Sequence, residues 1–199
     1  GDLSPESYCT DRKTFRLLNT QARAKSIEVS SPTVARASLP PLLLLLAYGL
    51  AFAGASLGTS LLVYDDHPGQ LYRVWHVLTR GPAPWSWNPG WWMGYPELQF
   101  YPPGFAYVGA LLHTLSLGRL SPGASYQVLL WIAYLAPGVT AFALLARLLG
   151  SGWLALPGAF VALTLSARIA SGVDGGVHTG MLAARLAWAL LPLVVMAAV

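Results

Sequence analysis

Residues 39–63 of this chain, LPPLLLLLAYGLAFAGASLGTSLLV, decide its fold class. No charged residue occurs between Arg36 and Asp65, and about 20 consecutive apolar residues are enough for a helix to cross the hydrocarbon core of a bilayer. Pro40 and Pro41 fall in the first turn, where a missing backbone N–H breaks no helical hydrogen bond. The stretch therefore predicts a membrane-spanning helix.

The composition of the whole chain agrees with this prediction. Of its 199 residues, 55% are hydrophobic and 10% are charged, whereas about 25% are charged in an ordinary soluble domain. Four further apolar runs occupy residues 104–118, 120–146, 148–167 and 181–199. We therefore expect an all-α, polytopic transmembrane helical bundle with about five spans. We also expect it to be the N-terminal part of a longer membrane protein, because the last run has no polar exit.

Two of these runs carry a Pro-Gly pair at their centre, Pro137-Gly138 and Pro157-Gly158. Proline removes a helical hydrogen bond and kinks or breaks a helix. A kink, a break and a tight re-entrant turn all stay open at both positions, and re-entrant turns would change the number of spans.

The basic residues predict the orientation of the chain. Six of the twelve lysines and arginines lie within residues 1–38, a polar segment that we interpret as a cytoplasmic tail with a short helix near residues 12–25. Basic residues mark the cytoplasmic flanks of membrane spans. Residues 39–199 are then the transmembrane domain of a multi-pass cell-membrane protein, with residues 64–103 as its first outer loop.

Spans that alternate in direction extend this orientation to later segments. Arg119 and residues 168–180 are expected on the cytoplasmic side, and Arg147 does not fit the pattern. The lipid bilayer is the expected partner. The net charge of +4 does not predict nucleic-acid binding, because no nucleic-acid-binding motif accompanies it.

The outer loop, residues 64–103, differs from the rest of the chain. It contains ten aromatic residues, including five of the eight tryptophans, and is rich in proline. Trp and Tyr favour the membrane interface, because their apolar rings and their polar N–H or O–H groups are both satisfied there. We expect a structured loop that lies on the interface.

The loop opens with Asp65 and Asp66, the one adjacent pair of acidic residues in the chain. One interpretation is the N-terminal cap of a helix over residues 68–80, because carboxylates and proline both favour the first turn. Helical spacing gives that segment an apolar stripe made of Leu71, Val74, Trp75 and Leu78.

The opposite side of the same helix carries Arg73, His76 and Arg80. Two interpretations stay open. The three residues form a solvated polar face, or they form a phosphate-binding row beside a catalytic carboxylate, because the planar guanidinium of Arg binds phosphate in a fork.

The following motifs carry a resemblance to a known family. Residues 81–104, GPAPWSWNPGWWMGYPELQFYPPG, contain W-x-P, then G-Y-P, then F-Y-P-P. Together with the acidic pair and the His-containing helix, they resemble the first outer loop of GT-C-type membrane glycosyltransferases. More narrowly, they are similar to the bacterial membrane proteins described as 6-pyruvoyl-tetrahydropterin synthase-related. The resemblance covers residues 39–120. The four histidines have no zinc-ligand spacing, so pterin chemistry is not supported.

The resemblance implies that Asp65 or Asp66 is a catalytic carboxylate beside a sugar donor linked to a polyprenyl phosphate. A carboxylate acting as a general base takes the proton of an acceptor hydroxyl. A divalent cation is left open as a cofactor. Substrate-binding roles are implied for the surrounding residues, namely His67, Arg73, His76, Arg80, Trp87, Glu97 and Tyr101.

The second acidic motif of that family is not identified. Asp174, in SGVDGGVHTG at residues 171–180, is the other candidate, but alternating spans place it on the opposite side. The four glycines of this segment predict a flexible turn.

Two rival functions also stay open. One is a non-catalytic membrane protein of envelope polymer assembly, and the other is a transporter, which helices interrupted by Pro-Gly favour.

Overall fold

The structure is a computed structural model that describes residues 37–58, 60–166 and 172–198. Most of these residues are helical, as predicted. The helices are α1 (Leu39–Ser56), α2 (His67–Arg80), α3 (Gly104–Leu115), α4 (Pro122–Leu149), α5 (Gly152–Thr164) and α6 (Leu182–Ala198). Two short strands, β1 (Trp87–Asn88) and β2 (Tyr95–Pro96), pair antiparallel between α2 and α3. The helix predicted near residues 12–25 lies outside the described residues.

The longest helix, α4, forms the centre of the bundle. It begins after Ser121, whose hydroxyl oxygen accepts a hydrogen bond from the amide of Ala124 (3.1 Å) and so caps the first turn. Helices α1, α3, α5 and α6 all contact it. Tyr126, Leu130 and Tyr134 are buried along its length, so α4 supplies the core on which the other helices pack.

Helix α4 continues through Pro137-Gly138, and α5 continues through Pro157-Gly158. The alternatives of a break and of a re-entrant turn are therefore wrong at both positions. A Cβ on Gly138 would lie 2.9 Å from Cβ of Leu163 in α5. The small residue beside Pro137 thus lets α5 approach α4 closely.

The helices of the bundle share two ends, which we call the α2 end and the far end. At the α2 end, the end of α1 meets the first turns of α4. The Gln127 side-chain amide donates a hydrogen bond to the carbonyl oxygen of Gly58 (2.9 Å), and the Trp131 indole N–H donates to the same oxygen (3.3 Å).

The far end joins α1, α4, α5 and α6. A Cβ on Gly152, the first residue of α5, would lie 2.8 Å from Cα of Ser38, just before α1. Arg147 in the last turn of α4 donates a hydrogen bond to the carbonyl oxygen of Met196, near the end of α6 (3.1 Å). Successive long helices therefore run in opposite directions.

Helix α3 does not run from one end of the bundle to the other. Before it, Tyr101 and Pro102 lie beside Met181, which directly precedes α6. After it, the chain reaches Gly123 of α4, where an added Cβ would lie 2.9 Å from Leu61. Both flanks of α3 are thus at the α2 end, and the prediction that residues 104–118 span the membrane is wrong. Its 12 helical residues, about 18 Å long, instead pack on α2 through the contact between Gly109 and Val74.

This correction changes the side on which later segments lie. From residue 39 to residue 198 the chain passes between the two ends four times, in α1, α4, α5 and α6, instead of the five expected. Arg119 lies at the α2 end, and Arg147 lies at the far end with the start of α1. The prediction that Arg119 and the acidic pair lie on opposite sides is therefore wrong, and Arg147 lies at the end where α1 begins, as the orientation rule requires if that end is cytoplasmic.

The described part of the Gly-rich segment, residues 172–180, also lies at the α2 end. The amide of Asp66 donates a hydrogen bond to the carbonyl oxygen of Thr179 (3.1 Å). Asp174–His178 forms a π-helical turn, so the segment does turn as predicted, and its flexibility stays a prediction. Asp174 is therefore on the same side as the acidic pair, contrary to prediction.

Among the described residues, α4 is the one helix that is long and apolar enough to cross a membrane. Helices α1, α3, α5 and α6 are apolar but shorter. All four of these helices expose large apolar side chains, which include Leu43, Leu44, Val108, Leu111, Leu115, Trp153, Leu154, Val161, Trp188, Leu190 and Val194.

The contact between α2 and α3 provides a test of the packing. A Cβ on Gly109 would lie 2.8 Å from Cγ2 of Val74, which is fully buried. Gly109→Ala should lower the free energy of unfolding in detergent by roughly 1–3 kcal/mol, because overpacking forces buried side chains to move. Gly104→Ala in the same helix meets no atom within 4 Å, so it should be neutral.

A second variant separates this contact from a general effect on the helix. Val74→Ala removes the two methyl groups that face Gly109. In that background Gly109→Ala should cost little or become stabilising, because Ala is the better helix former. An equal cost in both backgrounds would show that α2 and α3 do not pack in this way.

Candidate functional site

Helix α2 begins at His67, so Asp66 holds the N-cap position as predicted. Its side chain nevertheless makes no capping hydrogen bond, and its φ and ψ of −81° and −10° are helical instead of extended. Capping by the Asp66 side chain is therefore wrong as an explanation of the acidic pair.

Asp65 has a φ of 50°, in the left-handed region that Asp and Asn adopt more readily than other non-glycine residues. Asp65 and Asp66 are both exposed. Within the described parts of the chain, neither carboxylate makes a hydrogen bond or an ion pair. Neither carboxylate is needed by the fold as described.

His67 is fully buried beneath the acidic pair. Its Nε2 lies 3.0 Å from the carbonyl oxygen of His178, and its Nδ1 lies 2.7 Å from the hydroxyl of Tyr126. Because a carbonyl oxygen only accepts, Nε2 carries the proton, and in the neutral ring Nδ1 accepts the Tyr126 hydroxyl proton. His67 thus joins α2 to α4 and to the π-helical turn.

Close packing around His67 favours its neutral form. Gly180, with a φ of 87°, comes so near that an added Cβ would lie 3.0 Å from the His67 amide nitrogen. Burial lowers the pKa of His67 below 6.5, and its contacts with the backbone of His178 and Val177 and the negative charge of Asp65 oppose that effect.

The strand pair β1–β2 builds the opposite wall of the site. The Asn88 side-chain oxygen accepts hydrogen bonds from the Tyr72 hydroxyl (2.7 Å) and from the Gly90 amide (2.8 Å), while its nitrogen donates to Glu97 Oε2. Asn88 and Glu97 are both buried. This network fixes the hairpin against α2.

Arg73 of α2 completes the network. Its Nε lies 3.0 Å from Glu97 Oε1, its Nη1 donates to the Gln70 side chain (3.2 Å), and its guanidinium carbon lies 3.9 Å from the centre of the Tyr101 ring. Arg73 is held on three sides, and the Glu97 carboxylate offsets its charge.

These walls enclose an open cleft of about 540 Å³ at the α2 end. The acidic pair, Arg73, Glu97 and Tyr101 all line it, so the structure brings five of the predicted site residues together. Its full lining is Asp65, Asp66, Pro68, Gly69, Tyr72, Arg73, Asn88, Gly90, Trp91, Tyr95, Glu97 and Tyr101.

Four predicted site residues lie outside the cleft lining. His67 and His76 are fully buried, and His76 Nε2 lies 3.0 Å from the hydroxyl of Ser86. Arg80 and Trp87 are exposed but do not line the cleft. The predicted row of Arg73, His76 and Arg80 therefore does not form a phosphate-binding surface, because its middle member is covered.

Sequence reasoning missed Tyr72, Asn88 and Tyr95. Burial raises the pKa of both tyrosine hydroxyls, and the negative charge of Glu97 adds to the effect, for Tyr95 together with a hydrogen bond to that carboxylate. Both hydroxyls therefore stay protonated as donors. One signal was present, because Asn88 precedes Pro89-Gly90 and an Asn side chain commonly bonds the backbone of such a turn.

The described residues contain no group of three or more His, Cys, Asp or Glu side chains that could hold a metal ion. Asp174 lies 3.5 Å from His178 in an exposed pair, and Glu97 is occupied by Arg73 and Asn88. Among these residues no metal site is therefore formed by protein ligands alone.

Comparisons of this chain with protein-family models, with curated proteins and with solved structures found no match.

The buried His67 predicts how stability depends on pH. Because its folded pKa is lowered, the unfolded chain binds the proton first, so this contribution is present above about pH 6.5 and is lost as pH falls below it. The melting temperature in detergent should fall from about pH 7 to pH 5. His67→Gln, which offers one donor and one acceptor but does not titrate, should flatten that fall.

The control for this experiment is His178→Gln, which removes a mostly exposed imidazole at the same end. It should leave the slope of melting temperature against pH close to that of the parent protein. If His67→Gln and the parent lose stability in parallel, protonation of His67 does not govern the acid sensitivity.

Proposed function

We propose that this chain is a membrane-embedded, glycosyltransferase-like protein that transfers a sugar from a polyprenyl-phosphate donor at the outer face of the membrane. The observation that carries the proposal is the pair of exposed carboxylates, Asp65 and Asp66, which have no partner among the described residues and lie on a cleft lined with aromatic and amide side chains. The resemblance of the loop motifs to GT-C-type enzymes points to the same chemistry.

The cleft suits a sugar better than it suits a free phosphate. Aromatic rings of Trp91 and Tyr101 offer faces for a sugar ring, and Tyr72, Tyr95 and Asn88 offer hydroxyl and amide groups. Arg73 is the cation among the lining residues, and Glu97 already offsets it. In this mechanism Asp65 or Asp66 takes the proton of the acceptor hydroxyl as that oxygen attacks the anomeric carbon, and the bond between that carbon and the phosphate oxygen breaks, which releases the polyprenyl phosphate.

Membrane insertion of the whole bundle is part of the proposal. Helix α4 is long enough to cross a bilayer, and α1, α5 and α6 expose apolar side chains that are costly in water. If the basic tail is cytoplasmic, α1 begins on the cytoplasmic side, and the α2 end of the bundle then lies outside. The transporter hypothesis depended on interrupted helices and is not retained, because α4 and α5 are continuous.

Single cysteines in a Cys9→Ser background test this orientation. Trp92→Cys and Arg119→Cys, both at the α2 end, should react with an impermeant maleimide from outside intact cells. Arg147→Cys, at the far end, should react only after the cells are opened. Labelling of Arg119→Cys from the cytoplasmic side would restore α3 as a span and contradict the four-pass arrangement.

Asparagine substitutions test the chemistry. Asn tolerates the left-handed φ of residue 65 and the N-cap position of residue 66, but an amide cannot accept the proton. Asp65→Asn or Asp66→Asn should therefore reduce sugar transfer from a lipid-linked donor by about 10²-fold or more, with the melting temperature unchanged.

The matched control is Asp174→Asn, which neutralises an acidic group at the same end but outside the cleft. It should keep most of the activity. If both single variants and the Asp65/Asp66 double variant transfer sugar at the parental rate, the acidic pair does not take part in the reaction.

A further inference from the structure

A second cavity adjoins the cleft. This apolar groove of about 470 Å³ is lined by Leu61, Leu62, Val63, Pro68, Leu71, Tyr72, Trp75, Ser121, Pro122 and Gly123. It shares Pro68 and Tyr72 with the polar cleft. The first turn of α2 therefore separates a polar compartment from an apolar one that opens beside it.

The groove is formed where three elements meet. Residues 61–63 follow α1, Leu71 and Trp75 lie on α2, and Gly123 lies in the first turn of α4. Val63 is 81% exposed and Trp75 is 42% exposed. Apolar side chains thus remain uncovered in a groove that shares Pro68 and Tyr72 with the cleft.

We propose that the apolar groove binds the hydrocarbon chain of an amphipathic substrate whose sugar head occupies the cleft. The inference rests on the proposed function and locates the lipid part of its donor. The polar and apolar cavities adjoin at their shared lining residues, Pro68 and Tyr72, an order that matches a head group joined to a chain. Burial of each methylene of the chain favours binding.

Photo-crosslinking in nanodiscs tests the groove. The probe is a polyprenyl-phosphate sugar with a diazirine near the phosphate end of its chain. Crosslinks should fall on the peptides that contain residues 61–63 and Trp75, and unlabelled lipid-linked sugar should compete them away. A phospholipid with the same diazirine should label these peptides weakly. Equal labelling by the phospholipid, without competition, would show that ordinary membrane lipid fills the groove and would overturn the proposal.

Substitutions of two exposed tryptophans, one in the groove and one elsewhere, provide a second test of the groove. Trp75→Gln should reduce groove crosslinking about tenfold and raise the apparent KM for the lipid-linked donor by a similar factor without changing kcat. Trp188→Gln, at an exposed tryptophan of α6, should change neither. An equal effect of both variants would overturn the proposal.

The two proposals fail in distinguishable ways. Competed crosslinks in the groove without any sugar transfer would leave the groove as a binding site and refute the transfer reaction. Sugar transfer with crosslinks only at other peptides would leave the reaction and refute the groove.

Discussion

The hydrogen bonds of His67 hold together the end of the molecule on which the candidate site depends. One ring nitrogen contacts Tyr126 of α4, 59 residues away, and the other contacts the backbone of His178, 111 residues away. Residues 65 and 66 directly precede this buried ring, so its partners set the position of the acidic pair. A substrate-binding role for His67 would require it to leave these contacts.

The charged side chains of the cleft differ in whether they have bonding partners. Arg73 and Glu97 offset one another, and their hydrogen-bonding partners hold them in place. Asp65 and Asp66 have no such partners among the described residues, so the cleft as a whole carries excess negative charge. That excess favours neutral groups that can lose a proton to a carboxylate, such as an acceptor hydroxyl.

The sequence predicted the local features that short-range physics controls. Apolar spacing located α2 closely. The acidic pair, Arg73, Glu97 and Tyr101, which the family resemblance and not short-range physics had pointed to, line one cleft. The failures concern long-range contacts. His76 has the helical position of a polar-face residue, but Ser86 and the loop cover it. Asn88 and Tyr72 gain their importance from a hairpin that brings together residues 16 positions apart, which periodicity within one helix cannot show.

The error about α3 has the widest consequence, because each span that is counted wrongly reverses the side of everything after it. A mostly apolar run of 15 residues, 104–118, suggested a span but forms a helix of 12 residues that packs on α2. Once α3 stays at the α2 end, the π-helical turn lies at that end as well. The turn then supplies the backbone carbonyl that holds His67 in place. A short apolar helix that fails to cross the bundle is thus a condition for assembling the site from segments far apart in the chain.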